Sequence, residues 1–181
     1  SRAIYGPEKS GKSKSRKAEA IRIMGLIKEI LADPKSNDLS IGVITFYSSQ
    51  VTTICEEAIK NNFMERTNTG DYRVTNQYQY TDDGREKFRV GSVDSFQGKE
   101  FDIVILSTVR SNDHDHFDTR KAYGFLSLTN RLNVAFSRAQ KLLIVVGDGS
   151  MFNDEGAKDS VEGLYEFYTN LSTDVNYGSR I

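Results

Sequence analysis

The chain has 181 residues, enough for one domain with a sizeable core, and its apolar fraction of 38% and charged fraction of 27% are ordinary for a soluble globular protein. A formal net charge of −1 excludes a blanket electrostatic attraction to nucleic acid, so such contact would need a local patch or a partner domain. The single cysteine, Cys55, excludes an internal disulfide and favours a reducing compartment such as the cytoplasm. No apolar run approaches the ~20 residues of a membrane span. Because the chain begins at Ser1 rather than Met, we expect a fragment of something longer.

A phosphate-loop pattern occurs near the start of the chain. Gly6 to Ser13 satisfies G-x-x-x-x-G-K-[ST] in full. A working loop lies between a buried strand and a helix, so that backbone N–H groups and the helix dipole meet the phosphates. Apolar spacing from Ala18 to Leu31 predicts the helix, but only Ser1 to Tyr5 precede the pattern, and no apolar strand ends in Asp-Glu to hold magnesium. We therefore interpret residues 1–13 as a flexible lead-in, with a true phosphate loop as the alternative.

An α/β unit follows the first helix. Pro34 and clustered turn formers end that helix, and the apolar run from Ile41 to Phe46 predicts a strand. Ser48 or Ser49 can cap the helix that comes next. Gln50 follows at the strand's carboxyl end, where open α/β folds bind ligands.

The pattern changes between residues 61 and 87. Polar residues dominate there, and a turn-like sequence, Asp82 to Gly84, is accompanied by β-forming residues. These are Tyr72, Val74, Tyr78 and Tyr80. The pattern predicts an irregular excursion or a small β-hairpin. Its tyrosines stand near basic residues, which leaves two interpretations open: stacking of nucleic-acid bases, or a hairpin that packs on itself.

Two polar motifs organise the second half of the chain. The first runs from Val90 to Glu100 and the second from Asn130 to Ala139. Apolar runs follow them, at Phe101 to Val109 and at Lys141 to Gly147, and each run predicts a buried parallel strand. Both motifs are therefore expected at the rim of a sheet, where such folds bind ligands.

The first motif carries two kinds of polar group. Ser92, Asp94 and Ser95 put short polar side chains at a strand end, which suits sugar–phosphate contacts rather than base reading. Gln97 to Glu100 is a tight turn with an amide, a cation and a carboxylate. A purely structural turn does not need that whole set, so the turn is a candidate ligand contact.

The second motif lies on a predicted helix from Ser127 to Ala139. Arg131 and Arg138 are seven residues apart, or two turns, so we expect them on one side of that helix. Two arginines on one face, leading into a strand, suggest a clamp for phosphate. A last amphipathic helix is predicted over residues 159–171, before a polar tail at residues 172–181.

The connection between the motifs holds both histidines. They lie in the run Asp113-His114-Asp115-His116, and clustered His and Asp are compatible with a metal site. Alternate residues in a loop rarely converge without further ligands, and no cysteine pair is near. We therefore predict a solvated loop and no metal.

Together these motifs closely resemble superfamily 1 helicases, specifically the up-frameshift-like branch that translocates 5′ to 3′. Val90 to Glu100 is similar to motif V of that family, and Leu126 to Ala139 is similar to motif VI. Ile41 to Gln50 is similar to motif IV. The resemblance covers roughly residues 14 to 150 and falls on the family's second RecA-like domain.

The resemblance implies a three-layer α/β domain of RecA-like type, with a mostly parallel sheet flanked by helices: a P-loop NTPase-type fold without a functional phosphate loop. Residues 14–171 would form this domain, with residues 61–87 as an excursion. In the family, ATP with Mg²⁺ binds in a cleft between two RecA-like domains, and the first domain supplies the phosphate loop and the magnesium-holding Asp-Glu. The implied partners are that first domain of the same polypeptide and single-stranded DNA or RNA. The protein is expected to be a monomer in the cytoplasm, with no contact to a membrane.

The resemblance also implies roles around the nucleotide. Arg138 matches the family's arginine finger on the γ-phosphate, and Arg131 would support the same phosphate region. Gly98 and Glu100 match motif V positions that face the nucleotide, and Gln50 matches the end of motif IV.

On the nucleic-acid side, the resemblance implies contacts by Ser92, Asp94 and Ser95. The chain also departs from the family pattern in motif IV. Phe46 stands where the family often has proline, and Ser48 to Val51 lacks the basic residue that usually follows. The departure argues against a phosphate contact from motif IV.

Two other functions fit the sequence. One is a free-standing P-loop NTPase that uses Lys12 and Ser13, and the other is a non-catalytic RecA-like module that binds nucleic acid or a protein. If the chain is half of a helicase motor, it is expected to be inactive as an ATPase on its own.

Overall fold

The computed structural model describes residues 5–9, 11, 13–36 and 38–180. The strands in these residues are β1 Ile41–Thr45, β2 Met64–Arg66, β3 Tyr72–Val74, β4 Phe88–Ser92, β5 Phe101–Ser107 and β6 Ala139–Val146. Four of them form one sheet in the order β4-β1-β5-β6, and every neighbouring pair is parallel. The predicted α/β class with a mostly parallel sheet is confirmed.

Helices cover both faces of this sheet. They are α1 Lys17–Leu31, α2 Ser48–Lys60, α3 Thr119–Ala122, α4 Thr129–Phe136, α5 Glu155–Ser160 and α6 Glu162–Glu166. One apolar core joins α1 and α2 to the sheet, and a second joins α4, α5 and α6 to its other face. In the described part of the chain, no helix is long and apolar enough to cross a membrane.

Strand β5 shows how the sequence specifies these three layers. All its residues are buried. Ile103 and Ile105 belong to the core beneath α1 and α2, while Val104 and Leu106 belong to the core on the opposite face. Because successive side chains of a strand point to opposite faces, a strand covered on both sides appears in the sequence as an unbroken apolar run.

The connection from β4 to β5 is short for a parallel crossover, which usually needs a dozen or more residues. It passes over β1 in a single 3-10 turn, Val93–Phe96, and a following tight turn. The Phe96 ring is fully buried against two glycines of the sheet. A Cβ atom on Gly42 would lie 2.7 Å from Phe96 Cε1, and one on Gly91 would lie 3.3 Å from Cε2. The two glycines therefore let the ring lie directly on the strands.

The excursion at residues 61–87 contains the predicted hairpin, but its strands lie earlier than the tyrosine pattern indicated. Antiparallel β2 and β3 pair Met64 with Val74. The predicted turn at Asp82 to Gly84 is present, flanked by a single bridge between Tyr80 and Glu86.

Asp102 fixes this excursion to the sheet. Its buried carboxylate accepts hydrogen bonds from Ser40 N at 2.9 Å and Arg85 Nη1 at 2.9 Å, and it pairs with Lys141 Nζ at 2.8 Å. Burial alone would raise the pKa of the Asp102 carboxyl, but Lys141, Ser40 and Arg85 hold it well below its usual range. One side chain thus joins the excursion to the starts of β1, β5 and β6.

Two predicted helices end differently in the structure. The helix predicted from Ser127 to Ala139 spans only Thr129–Phe136, since the carbonyl of Arg138 accepts a β-type hydrogen bond from Phe101 N at 2.9 Å. The helix predicted over residues 159–171 is split into α5, α6 and a π-helical turn at Phe167–Leu171. The split occurs at Val161, whose non-helical backbone, with φ −143° and ψ 50°, places its side chain in the core.

Because the four strands are parallel, the sheet has two different ends. We call the end where the strands begin the amino edge, at Ile41, Phe88, Phe101 and Ala139. The end where they finish is the carboxyl edge, at Thr45, Ser92, Ser107 and Val146. The predicted site residues divide between these two edges.

Candidate functional site

The amino edge brings together Gly98, Glu100 and Arg138. Gly98 has φ +76°, which a tight turn demands and which favours glycine. The Arg138 guanidinium donates to the carbonyl of Lys99 at 3.2 Å, and Gln140 Nε2 donates to Glu100 Oε2 at 2.8 Å. The turn of the first motif and the start of β6 therefore form one surface.

The charge of Arg138 is not compensated by an acid in the described residues. Its other hydrogen bonds go to the carbonyl of Val134 at 3.0 Å and to Ser137 Oγ at 2.8 Å, both neutral groups. No described carboxylate lies within ion-pair distance of it, and the side chain is only partly buried. A half-exposed guanidinium with neutral neighbours is suited to bind an external anion.

The carboxyl edge holds Ser92, Asp94 and Ser95. Ser92 ends β4, and Ser95 Oγ donates to its carbonyl at 2.7 Å. Asp94 Oδ2 accepts from Arg131 Nη2 at 2.9 Å, and both side chains are open to solvent. This edge therefore presents hydroxyls and an ion pair rather than an uncompensated cation.

The two arginines of the second motif do not form a single clamp in the structure. Helix α4 runs from the carboxyl edge back toward the amino edge, and it ends at Phe136. Arg131 lies near its beginning beside Asp94, whereas Arg138 lies beyond its end beside Lys99. The predicted spacing of two turns therefore separates them along the helix axis instead of bringing their charged groups together.

Gln50 lies inside the protein rather than on either edge. Its Oε1 accepts from Arg16 N at 2.8 Å, and its Nε2 donates to Arg16 O at 3.2 Å and to Ser107 Oγ at 2.9 Å. The side chain is fully buried. The structure thus gives it a role in holding α1 against the carboxyl ends of the strands.

A buried polar network beneath the carboxyl edge was missed by sequence reasoning. Glu19 Oε2 accepts from Ser107 Oγ at 2.7 Å and from Val109 N at 3.0 Å, and its other oxygen lies 3.5 Å from Arg16 Nη1. Burial raises the pKa of Glu19 to about 7, while Ser107, Val109 and Arg16 act in the opposite direction. Arg16 also lies 3.8 Å from Asp148. An acid in the first turn of a helix usually caps it at the surface, so the sequence carried no signal of this burial.

The same network supports a strained residue. Val109 has φ +68°, a left-handed conformation that is rare for a β-branched side chain and costs on the order of 1–3 kcal/mol. Its N–H is the group that donates to Glu19, and its side chain is fully buried. The prediction that the strand continues to Val109 is wrong for this reason: β5 ends at Ser107.

Phe125 was also missed, and it lies beside the candidate nucleic-acid residues. It precedes α4 in a 3-10 turn and is 46% exposed. Its ring contacts Tyr47, with 5.5 Å between centroids, and the Arg131 guanidinium lies 5.7 Å from its centre. The signal in the sequence was an aromatic residue shortly before the second motif, which a purely solvated connection does not need.

The phosphate-loop pattern is only partly described, since Ser10 and Lys12 fall outside the described residues. Glu8, within the predicted flexible lead-in, is buried and pairs with Arg110 Nε at 3.2 Å. Ser13 does not begin a helix, because α1 starts at Lys17. Instead, Ser13 Oγ accepts from Ser49 N at 3.0 Å, at the start of α2.

The histidine run does not gather a metal site in the part of the chain that the structure describes. No group of three or more His, Cys, Asp and Glu side chains there converges on one point. His116 instead bonds Asp154 through its ring Nδ1, and its ring packs on Tyr123 at 5.5 Å. These contacts join the connection to α5 and the core.

Comparison with known proteins shows the family of this chain. A family model described as AAA domain matches residues 4–150. The chain belongs to that family, as an up-frameshift-like superfamily 1 helicase domain. RNA helicase Mov10l1 of Homo sapiens is 36% identical over 151 residues, which are 80% of this chain and 11% of that protein. Regulator of nonsense transcripts 1 homolog of Arabidopsis thaliana is 36% identical over 148 residues, which are 81% of this chain and 10% of that protein.

A third relative, putative helicase mov-10-B.1 of Danio rerio, is 34% identical over 138 residues, which are 72% of this chain and 12% of that protein. The helicase domain thus spans about a tenth of the length of these relatives. The activity of a whole relative is therefore not a property that these matches give to this chain.

Proposed function

We propose that this chain is the second RecA-like domain of an ATP-dependent helicase, and that Arg138 acts on ATP bound against a first RecA-like domain. The observation that carries the proposal is the division of the motif residues between the two ends of the sheet. Gly98, Glu100 and Arg138 share the amino edge, while Ser92, Asp94 and the rest of the polar strand end occupy the carboxyl edge. One domain can then meet a nucleotide and a strand at the same time.

At the amino edge the proposed chemistry is electrostatic. ATP with Mg²⁺ supplies the phosphoryl group whose negative charge develops in the transition state, and a preplaced cation there is worth ~10³ to 10⁵ in rate. Arg138 fits this task because no described carboxylate neutralises it. Gly98 has no side chain, and the space beside it is open, with nothing within 4 Å of where a Cβ would stand. The backbone of this turn can therefore come close to the nucleotide. Glu100 is placed beside Gly98 to accept hydrogen bonds.

At the carboxyl edge the proposed contact is with the sugar–phosphate backbone of single-stranded DNA or RNA. Ser92 and Ser95 offer hydroxyl groups, and Arg131 offers a cation that Asp94 holds in place. Phe125 adds an exposed ring on which a base can stack. Backbone contacts and stacking suit a motor that travels over any sequence. Gln50 is assigned to the buried network and not to the nucleotide.

The proposal excludes a phosphate loop at Gly6 to Ser13. A working loop leads straight into a helix, whereas here Lys9 and Ser15 form an antiparallel bridge and α1 begins only at Lys17. Glu8 would also place a buried carboxylate beside the phosphates. The magnesium and phosphate groups are therefore assigned to the first RecA-like domain of the same polypeptide.

The test is ATP turnover by the purified 181-residue chain, with and without single-stranded nucleic acid, beside a Lys12→Ala variant. We expect no turnover from either protein. Turnover that is lost on Lys12→Ala would identify a free-standing P-loop NTPase and overturn the proposal. A non-catalytic module would also show no turnover, so Arg138→Ala in a protein with both RecA-like domains separates those two functions.

A further inference from the structure

An open groove of about 580 Å³ lies between the excursion and edge strand β4, apart from the carboxyl edge. Its walls carry one acid, Glu86, two exposed or half-exposed tyrosines and three cations, of which Arg73 is already paired with Glu65 at 2.6 Å. The cations and tyrosines are Arg73, Arg89, Lys99, Tyr72 and Tyr80. We propose that this groove is a second binding site for single-stranded nucleic acid. It goes beyond the proposed motor function and does not require ATP hydrolysis.

Two of the cations already share one anion. Glu86 Oε1 accepts from Arg89 Nε at 2.8 Å, and Glu86 Oε2 accepts from Lys99 Nζ at 2.7 Å. Burial alone would raise the pKa of Glu86, but Lys99 and Arg89 lower it, so the carboxylate is charged at neutral pH. Arg89 belongs to β4 and Lys99 to the turn of the first motif, so two separate segments aim positive charge at one point.

A phosphodiester can take the place of that carboxylate. Like a carboxylate, it presents two anionic oxygens to paired donors. The Glu86 side chain is about one-third exposed, so it can turn to solvent when a phosphate arrives. Glu86 is then an internal competitor, and removing its charge should strengthen binding rather than weaken it.

The aromatic side of the groove fits a base. Tyr80 is 66% exposed at its rim, and stacking of a base on such a ring contributes about 1–3 kcal/mol. An antiparallel bridge joins Tyr80 to Glu86, so the ring lies opposite the residue that carries the shared anion. The open form of the groove favours a strand that passes through, since small-molecule sites usually enclose most of their ligand.

The experiment measures binding of a fluorescein-labelled single-stranded oligo-uridine, and of its deoxy counterpart, to the chain by anisotropy at several salt concentrations. We expect Tyr80→Ala to weaken binding about fivefold or more. Arg89→Ala should also weaken it and should reduce the salt dependence by about one phosphate contact. Glu86→Gln should strengthen binding. Matched controls are Tyr177→Ala, an exposed tyrosine of the tail, and Glu155→Gln, an exposed acid of α5, and neither should change it.

Phe125→Ala at the carboxyl edge separates this inference from the proposed function. Suppose that Phe125→Ala weakens binding while Tyr80→Ala, Arg89→Ala and Glu86→Gln bind like the unchanged chain. The groove is then not a binding site, and the strand binds at the carboxyl edge. If oligonucleotide binds neither the unchanged chain nor Glu86→Gln, the groove inference is overturned, whereas the proposed function is decided by ATP turnover of Arg138→Ala in a protein with both RecA-like domains. Equal competition by adenosine monophosphate and by unlabelled oligo-uridine would show a mononucleotide site instead and would also overturn the strand assignment.

Discussion

Arg131 and Arg138 show how strongly a residue's role depends on its nearest neighbours. They have the same chemistry and belong to one motif, yet Arg131 is paired with Asp94 at 2.9 Å, while the described partners of Arg138 are all neutral. An exposed ion pair contributes little free energy, so Asp94 serves mainly to orient its partner. An arginine without an acid keeps its full charge for a ligand.

Glu19 is the residue with the clearest predicted pH effect. Its pKa in the folded chain is about 7, above the ordinary 4.5, so the folded state binds this proton more tightly than the unfolded state. The stability that it contributes is present below pH 4.5 and is lost as the pH rises through about 7. That loss is on the order of 3 kcal/mol. The charged groups that face it are Arg16 and, through Arg16, Asp148.

We therefore expect Glu19→Gln to remove this pH dependence. The amide oxygen can still accept from Ser107 or Val109, but the side chain no longer ionises. The effect is measured by urea denaturation at pH 5.5 and at pH 8, on either side of the pKa of about 7. The unchanged chain should lose stability relative to the variant at the higher pH. Glu29→Gln, an exposed acid of the same helix, is the control. Parallel pH profiles for Glu19→Gln and the unchanged chain would contradict the assignment.

At the scale of elements, the sequence determined the sheet better than the helix ends. The strands at Ile41 and Phe101 are apolar runs buried on both faces, so their pattern is local and visible. The end of α4 depends on a bond between Arg138 and Phe101, and the break at Val161 depends on what its side chain packs against. Neither contact is local in sequence. For the same reason, the motif patterns indicated the candidate site residues, but they did not indicate that these residues divide between the two edges of the sheet.

The crossover Val93–Phe96 provides an element-scale prediction. Gly42→Ala places a methyl group 2.7 Å from Phe96 and 2.9 Å from Phe101, both buried rings. Such overpacking costs about 1–3 kcal/mol, and we expect that loss in the free energy of unfolding. The crossover should also become more exposed to hydrogen exchange.

Gly25→Ala is the matched control for that substitution. Gly25 lies within α1, where a Cβ would meet only Arg22 Nη1 at 3.8 Å. Alanine there should stabilise the chain by up to about 1 kcal/mol, because it favours the helix more than glycine does. If Gly42→Ala is as stable as the unchanged chain, the ring does not rest on the sheet as described.

At the scale of the whole molecule, the domain presents two chemically different ends. The proposed catalytic cation is at the amino edge and the hydroxyl-rich strand ends are at the carboxyl edge. The four strands between them are close-packed on both faces. Because the proposed ATP site needs a second domain, hydrolysis would require the domains to close, and closing and reopening would move them along a strand.

That arrangement predicts the effect of Arg138→Ala in a protein that contains both RecA-like domains. ATPase activity should fall by ~10³ to 10⁵, because the cation opposite the transferred phosphoryl group is lost. ATP binding should remain largely intact, since the first domain provides most of its contacts. Turnover and nucleotide affinity are measured separately. Arg120→Ala, an exposed arginine in α3, is the control and should change neither. Near-normal turnover in Arg138→Ala would exclude the finger.

The crossover between β4 and β5 joins the two edges directly. Its eight residues start next to Ser92 at one end of the sheet and finish at Glu100 at the other. Phe96 is buried midway against Gly42 and Gly91, which ties the segment to the sheet between its two ends. The candidate nucleotide contact and the candidate strand contact are therefore the two ends of one short segment, and the position of both depends on how a single ring is seated.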